Sequence, residues 1–272
     1  MNHSSPYVAR RQLGRRLRQE REQAGRTIRS VQDAKFFSES KVSRIEAGKV
    51  PVRIGDVWTL CRFYETDPEM TDALAALAEE TTGDGWWASY VAAVADWYNL
   101  YLGLEETCTV LSTYNPVLLH DLLQTEDYAR AVLRSDESLD EEVIGARMNV
   151  QAKRKSLWLG RPDCRLRVVL GPSALSQVVG SPEVMSEQIL HLRTLDAMHQ
   201  VSVRVLPRSA GAHPGLSGPF TTVEFDDDFE LSMVYLESLL GARYLDASYQ
   251  VDVYRRAFQR LFEQAIPFKE YD

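Results

Sequence analysis

Ser38-Glu39-Ser40-Lys41-Val42-Ser43-Arg44-Ile45-Glu46-Ala47-Gly48 reads as a short helix with two unlike faces. Ser38 is a good N-cap, because its hydroxyl can accept from a backbone N–H of the first turn. Val42 and Ile45 stand three residues apart and therefore share the inward face. Glu39, Ser40, Lys41, Ser43 and Arg44 fall on the other side. They are short hydrogen-bonding groups and long cations, the types that meet base edges and phosphates in a major groove. The helix start adds unpaired N–H groups suited to phosphate. Gly48 closes the helix by supplying the positive φ that other residues disfavour. On periodicity alone the pattern favours an ordinary amphipathic helix with a solvated polar face, so its surroundings have to decide.

Upstream, Arg10 to Ala24 predicts a basic helix with Leu13 and Leu17 one turn apart, stopped by Gly25. Thr27 can cap a second helix over 28–35, with Val31 and Ala34 inward. Downstream, Pro51 breaks the chain, and Val57, Leu60, Cys61 and Tyr64 recur at helical spacing over 54–65. A fifth helix follows Asp67-Pro68, with Leu74 and Leu77 on its face. Short helices joined by tight turns make the layout of a helix-turn-helix domain, here 1–80.

Charge is distributed unevenly. The 272-residue chain has a formal net charge of −8, yet residues 1–66 carry 14 Lys+Arg against 7 Asp+Glu, and the rest 17 against 32. A basic block of +7 on a body of −15 suits a nucleic-acid ligand for the first part, where an evenly acidic chain would repel phosphate. The hydrophobic fraction of 44% and charged fraction of 26% exclude a wholly disordered chain. The chain has no run of 18 apolar residues, which excludes a membrane-spanning helix. Met1 to Pro6 has no signal-peptide pattern. Cys61, Cys108 and Cys164 are odd in number and far apart, making neither a disulfide framework nor a zinc pair. A cytoplasmic location is expected.

Thr81-Thr82-Gly83-Asp84-Gly85 is a turn-rich break, and a second domain is expected over 86–272. It opens with aromatic, helical sequence containing Trp86, Trp87, Tyr90, Trp97, Tyr98 and Tyr101, interrupted by Pro116. These aromatics fit either a core or a ligand pocket, with helical spacing favouring the core. Helices are predicted over 125–134 and 139–159, the latter behind a charge run (Asp136, Glu137, Asp140, Glu141, Glu142) that suits a solvated helix start. Leu166–Leu170, the helical Glu183–His199 and Val201–Leu206 form a strand-helix-strand unit. Phe220–Phe225 and Leu231–Leu236, joined by Asp226-Asp227-Asp228, predict a hairpin. A last helix spans 248–265. The fold class is α+β: an all-α five-helix domain, then a mixed α/β domain with a small sheet.

Ser-Lys-Val-Ser-Arg-Ile-Glu-x-Gly (40–48), following Glu22-Gln23-Ala24-Gly25, resembles the xenobiotic-response-element (Cro/repressor-like) regulators over about 60 residues. The resemblance implies binding to double-stranded operator DNA. It places Ser38, Glu39, Ser40, Lys41, Ser43 and Arg44 on the recognition helix, and Thr27, Ile28 and Arg29 where the preceding helix meets a phosphate. It also implies an ion pair between Arg21 and Glu46. Gln32 and Lys35 stand where small or apolar residues are usual, and Phe36 where glycine is, so the turn between the second and third helices is expected to differ. Trp86-Trp87, Tyr101-Leu102-x-Leu104-Glu105, Leu122 to Ala131, Gly211-Ala212-His213-Pro214-Gly215, Gly218-Pro219-Phe220 and Tyr235-Leu236-Glu237 are similar to the C-terminal domain of actinobacterial antitoxin-like regulators of the Scr1 type. His120-Asp121 and Pro172 depart from that pattern. The resemblance implies a transcription regulator, often encoded beside a small partner protein, with no established ligand.

Catalytic motifs are missing from the sequence: no Gly-x-Ser-x-Gly elbow, no His-Glu-x-x-His, no phosphate-binding glycine loop. His213 and Glu237 make the one conceivable acid–base pair. His3, His120, His191, His199 and His213 lack metal-ligand spacing; His191 and His199 share one predicted helix but stand two turns apart. No catalytic residue, metal or cofactor is therefore expected. Three functions remain: a regulator whose acidic domain dimerises and binds a small protein, a one-component small-molecule sensor, and an enzyme carrying a DNA-binding module.

Overall fold

The computed structural model describes residues 5–83, 85–90, 94–225 and 232–271. Asp84, the Asp226-Asp227-Asp228 link, Leu231 and the residues before Ser5 lie outside the described residues. The chain divides into two compact units, Met1–Ser89 and Tyr90–Asp272.

The first unit is built from α1 (Pro6–Gln23), α2 (Ile28–Asp33), α3 (Glu39–Glu46), α4 (Ile54–Tyr64) and α5 (Pro68–Glu80). Helix α1 begins four residues before the expected Arg10, because Pro6 stands in its first turn, where a missing N–H costs no hydrogen bond. Thr27 and Ser30 form a reciprocal capping box on α2, and the Ser38 hydroxyl accepts from the Lys41 amide at 3.2 Å. Gly25 and Gly48 adopt φ of +64° and +66°, just past α1 and α3. Between α2 and α3 the left-handed residue is Lys35, at φ +60°. Phe36 therefore needs no unusual backbone, and its ring meets Phe63 edge-on at 5.4 Å. Leu13, Leu17, Val31, Val42, Ile45 and Leu60 make the centre of the core.

Helices α1 and α3 cross at close range. A Cβ on Gly14 would lie 2.3 Å from the Ile45 carbonyl oxygen, which only glycine avoids. The expected ion pair closes the crossing: Arg21 Nε and Nη2 donate to Glu46 Oε1 and Oε2 at 2.6 and 2.8 Å. Arg21 Nη1 also donates to the Arg26 carbonyl at 2.9 Å, tying down the turn after α1.

The second unit contains α6 (Asn99–Thr107), β1 (Val110–Asn115), α7 (Glu126–Arg134), α8 (Glu141–Leu159), β2 (Arg165–Leu170), α9 (Ser173–Ser176), α10 (Pro182–Asp196), β3 (Val201–Val205), β4 (Phe220–Glu224), β5 (Met233–Ser238), β6 (Gly241–Leu245), α11 (Ser248–Gln264) and β7 (Ile266–Pro267). Among the described residues seven strands form one mixed sheet in the order β6-β5-β4-β1-β2-β3-β7, where the sequence signalled four. The strand-helix-strand unit is present as the parallel neighbours β2 and β3 joined through α10, and β4 and β5 pair antiparallel. The hairpin's second strand is shifted two residues, to Met233–Ser238. Trp86–Tyr90 and Asp96–Tyr98 are 3₁₀ turns, and regular helix starts only at Asn99. Helix α10 ends at Asp196, so His199 is not on it.

Helix α11 covers one face of the sheet, its Val251, Phe258 and Leu261 meeting Tyr114, Val169 and Phe220. Register puts Arg167 and Arg204 on that face, both stacked over the Phe262 ring. The opposite face carries α6, whose Tyr101 ring packs 4.4 Å from that of Tyr235. Here Arg154 of α8 is 4% exposed and forks onto Glu105 with Nε–Oε1 2.8 Å and Nη2–Oε2 2.7 Å. Its Nη1 reaches Asp121 Oδ2 at 2.7 Å.

Removing one member of a buried ion pair leaves an uncompensated charge, at a cost of about 3–5 kcal/mol. We therefore expect Glu46→Ala to destabilise the first unit by about 3 kcal/mol, well above a surface pair's ~0–1 kcal/mol. Urea unfolding of the full chain measures it. Glu105→Ala should cost a similar amount in the second unit, with Asp121→Ala milder because that carboxylate is 43% exposed.

Candidate nucleic-acid interface

The exposed side of α3 is formed by Glu39, Ser40, Lys41, Ser43 and Arg44, with Val42 and Ile45 fully buried beneath. Arg44 is exposed and takes no ion pair among the described residues. Lys41 is engaged differently: Nζ pairs with Asp56 Oδ2 of α4 at 2.8 Å and sits 4.1 Å over the Phe37 ring. Half of its cation is thus already spoken for in the free protein. The Ser38 hydroxyl is likewise spent on the α3 cap.

Gln32 has a local role. Its Oε1 accepts from the Glu39 amide at 3.0 Å, so α2 caps α3 directly and fixes the angle between them. Gln32, Lys35, Phe36, Phe37 and Ser38 line a shallow groove over this turn. At the start of α2, Thr27 and Arg29 are exposed, while Ile28 is half-buried against the core. Ile28 can therefore offer only its backbone N–H to a ligand. Glu46 lies under α3 in the grip of Arg21, whose pKa it raises by hydrogen bonding. Its charge is neutralised from within. Asp56 was not singled out in the sequence, and as a first-turn acid of α4 it carries no local signal that it reaches Lys41.

In the second unit the polar residues form a buried network. Tyr98 donates to Asp121 Oδ2 at 3.2 Å, and the Tyr101 hydroxyl bonds His120 Nε2 at 2.9 Å. Burial pushes the His120 pKa down, keeping the imidazole neutral as the other hydrogen bond, Leu122 N–H to Nδ1 at 3.3 Å, requires. Gln151 donates to the Asp121 carbonyl at 2.9 Å and to Gln124 Oε1 at 3.0 Å. The His120-Asp121 departure thus sits at the hub of this network with Arg154. The available signal for Arg154 was its place on α8 one turn from buried Val150 and Trp158. His213 stands edge-on to Tyr114, 5.9 Å away, whereas Glu237 belongs to the end of β5. Tyr98 stacks on Tyr101, and Tyr235 and Tyr244 continue the cluster with tilted rings. Among the described residues no three His, Cys, Asp or Glu gather as a metal site needs, and no helix is long and apolar enough to cross a membrane.

Residues 12–74 match the family described as a helix-turn-helix domain, which makes the first unit that of a DNA-binding regulator. No curated protein and no solved structure matches the chain. Residues 98–270 match the family described as a domain of unknown function, DUF5753, and with well over half of its length in that match the chain belongs to this family.

Proposed function

We propose that the chain is a sequence-specific transcription regulator of the xenobiotic-response-element class, in which residues 1–80 bind an operator and residues 86–272 form an antitoxin-like regulatory domain that dimerises and binds a small partner protein. The observation that carries this reading is α3: a short helix held rigidly by buried contacts, with Ser40, Ser43 and Arg44 left outward. In the docked state Arg44 and Lys41 meet the major groove, Ser40 and Ser43 the base edges or sugar-phosphate rim, and Glu39 a base amino group. Thr27 and Arg29, with the Ile28 amide, meet the flanking phosphate. The net charge of −15 beyond residue 66 keeps the body off DNA and suits a basic partner.

Selection from random duplexes gives the operator, and variants then test the docking. Arg44→Ala should weaken operator binding by about 1–3 kcal/mol if Arg44 grips a guanine, and relax preference at one position only. Lys41→Ala should cost less, because Asp56 already holds that ammonium. Asp56→Asn should do the opposite, tightening binding to all sequences and steepening the salt dependence by about 1 in log–log slope as one more phosphate contact forms. Unchanged binding in the Lys41→Ala, Arg44→Ala double variant sinks the docking.

A single recognition helix covers few base pairs, and two of them placed about 34–36 Å apart supply the missing affinity. The basic first domain repels its own copy, so the larger, aromatic-rich second domain is the self-association surface. Light scattering should give a dimer for the full chain and a monomer for residues 1–85. A full-length monomer at micromolar concentration that still binds a two-fold operator tightly refutes it.

A further inference from the structure

Two of the three cysteines, 56 residues apart in the chain, meet in the fold. Cys108 leads from α6 into β1, and Cys164 leads into β2, the parallel neighbour of β1. Their sulfurs are 3.8 Å apart, both side chains are buried, and both thiols are free. Polar groups also reach this pair. Arg161 donates to the Glu105 carbonyl at 2.9 Å and to the Cys108 carbonyl, and its charge favours the thiolate form of both cysteines. The Trp158 indole N–H is buried, has no hydrogen-bond partner and faces Cys164. Glu105 is a carboxylate that opposes ionisation of both thiols, and Arg154 neutralises it, while Glu106 also feels the Arg161 cation. From the α10–β3 connection, His199 reaches only the Pro162 carbonyl, at 3.3 Å. A negative charge on Cys164 thus finds a thiol donor, a cation and an otherwise orphaned N–H.

The two thiols are pulled apart accordingly. The hydrogen bond from Cys108 lowers the Cys164 pKa to about 7, with Arg161 and Trp158 adding to it, while Cys108 is pushed well above the usual thiol range. Cys61, by contrast, is pushed up by burial. Pro162 and Asp163, the two residues before Cys164, are exposed, so the buried thiol lies directly next to surface chain.

We propose that Cys164 and Cys108 form a thiol-oxidation site whose substrate is a small hydroperoxide. The Cys164 thiolate attacks the terminal peroxide oxygen; the S–O bond forms as the O–O bond breaks, and the alkoxide or hydroxide leaves and takes a proton. Sulfur is oxidised to the sulfenic acid and the peroxide is reduced to an alcohol or water. Cys108 sulfur then attacks Cys164 sulfur; the S–S bond forms, the S–O bond breaks, and hydroxide leaves as water with the Cys108 proton. The resulting bond ties the α6–β1 junction to the turn after α8, the two elements that Arg154 and Glu105 already join.

The test uses the reduced full-length protein and hydrogen peroxide, followed by unfolding, alkylation with N-ethylmaleimide and peptide mass spectrometry. The expected result is loss of two alkylatable thiols, a peptide linking Cys108 to Cys164, and Cys61 still alkylated. The rate should climb through pH of about 7 as Cys164 ionises, since only the thiolate attacks. Cys108→Ser should stop at a sulfenic acid on Cys164 that dimedone traps, and Cys164→Ser, shown folded by circular dichroism, should leave Cys108 reduced. Three alkylatable thiols at peroxide levels that oxidise free cysteine overturn the proposal, as does a linkage through Cys61. So does a rate that rises only near the free-thiol pKa of about 8.5. The wild-type peptide map stands even if a variant fails to fold.

Discussion

The fork of Arg21 onto Glu46 is the interaction on which the geometry of the helix-turn-helix depends. Helix α3 has eight residues, too few to persist on its own in water. Its direction comes from outside: from Gly14, which lets α1 approach the Ile45 carbonyl, and from Glu46, which Arg21 holds at two points. With that end fixed, Val42 and Ile45 have one way to sit, and Ser40, Ser43 and Arg44 must point outward. Gln32 and Ser38 hold the other end by occupying two of its free amides. The pairing also resolves an electrostatic difficulty. A carboxylate at the end of a helix in a basic, DNA-binding domain repels phosphate, and a bidentate arginine cancels that charge without leaving the core.

The second unit meets a different constraint, because its central strand is not apolar. In β1, Ser112 and Thr113 are as buried as Leu111. Thr113 is accommodated by sharing its hydroxyl with Thr221 of β4 at 3.0 Å and Asn115 at 2.8 Å. Arg154 follows the same rule on the helical layer, buried only because Glu105 and Asp121 meet its fork. Both arrangements place polar groups where a hydrophobic pattern predicts none, and both join segments distant in the chain.

This explains what the sequence disclosed. The first unit was legible almost residue by residue, because its signals are local: Thr27 and Ser38 as caps, Gly25 and Gly48 as stops, Leu13, Leu17, Val42 and Ile45 at helical spacing. The unit β2–α10–β3 was legible for the same reason. Strand β1 was not, since Ser-Thr in the middle of Val110–Asn115 reads as loop until its cross-strand partners are known. Strands β6 and β7 are short edge pieces whose pairing comes from register. The aromatic run from Trp86 has helical spacing, but its 3₁₀ turns follow from ring packing. Lys41–Asp56, Arg154–Glu105 and Cys108–Cys164 are long-range pairs, and neither partner marks the other in the sequence.

The net of +7 over residues 1–66 can now be resolved into parts. Arg10 donates to the Thr81 and Gly83 carbonyls at 2.7 Å each, and so holds the end of α5 against α1. Arg11 reaches the Ala47 carbonyl, and Arg21 is spent on Glu46 and Arg26. Lys41 is shared with Asp56, and Arg26 with Glu65. Several arginines of this basic block thus work as staples for carbonyls that helix ends leave open. All of them contribute to the long-range field that draws the domain toward DNA, because that field sums charge regardless of pairing. Few of them can release a counterion on contact, because that requires a cation free to reach a phosphate. Arg29, Arg44 and Lys49, exposed along the α2–α3 side, are the cations best placed for it. The paired arginines thus add to the domain's field while their own hydrogen bonds hold its helices in place.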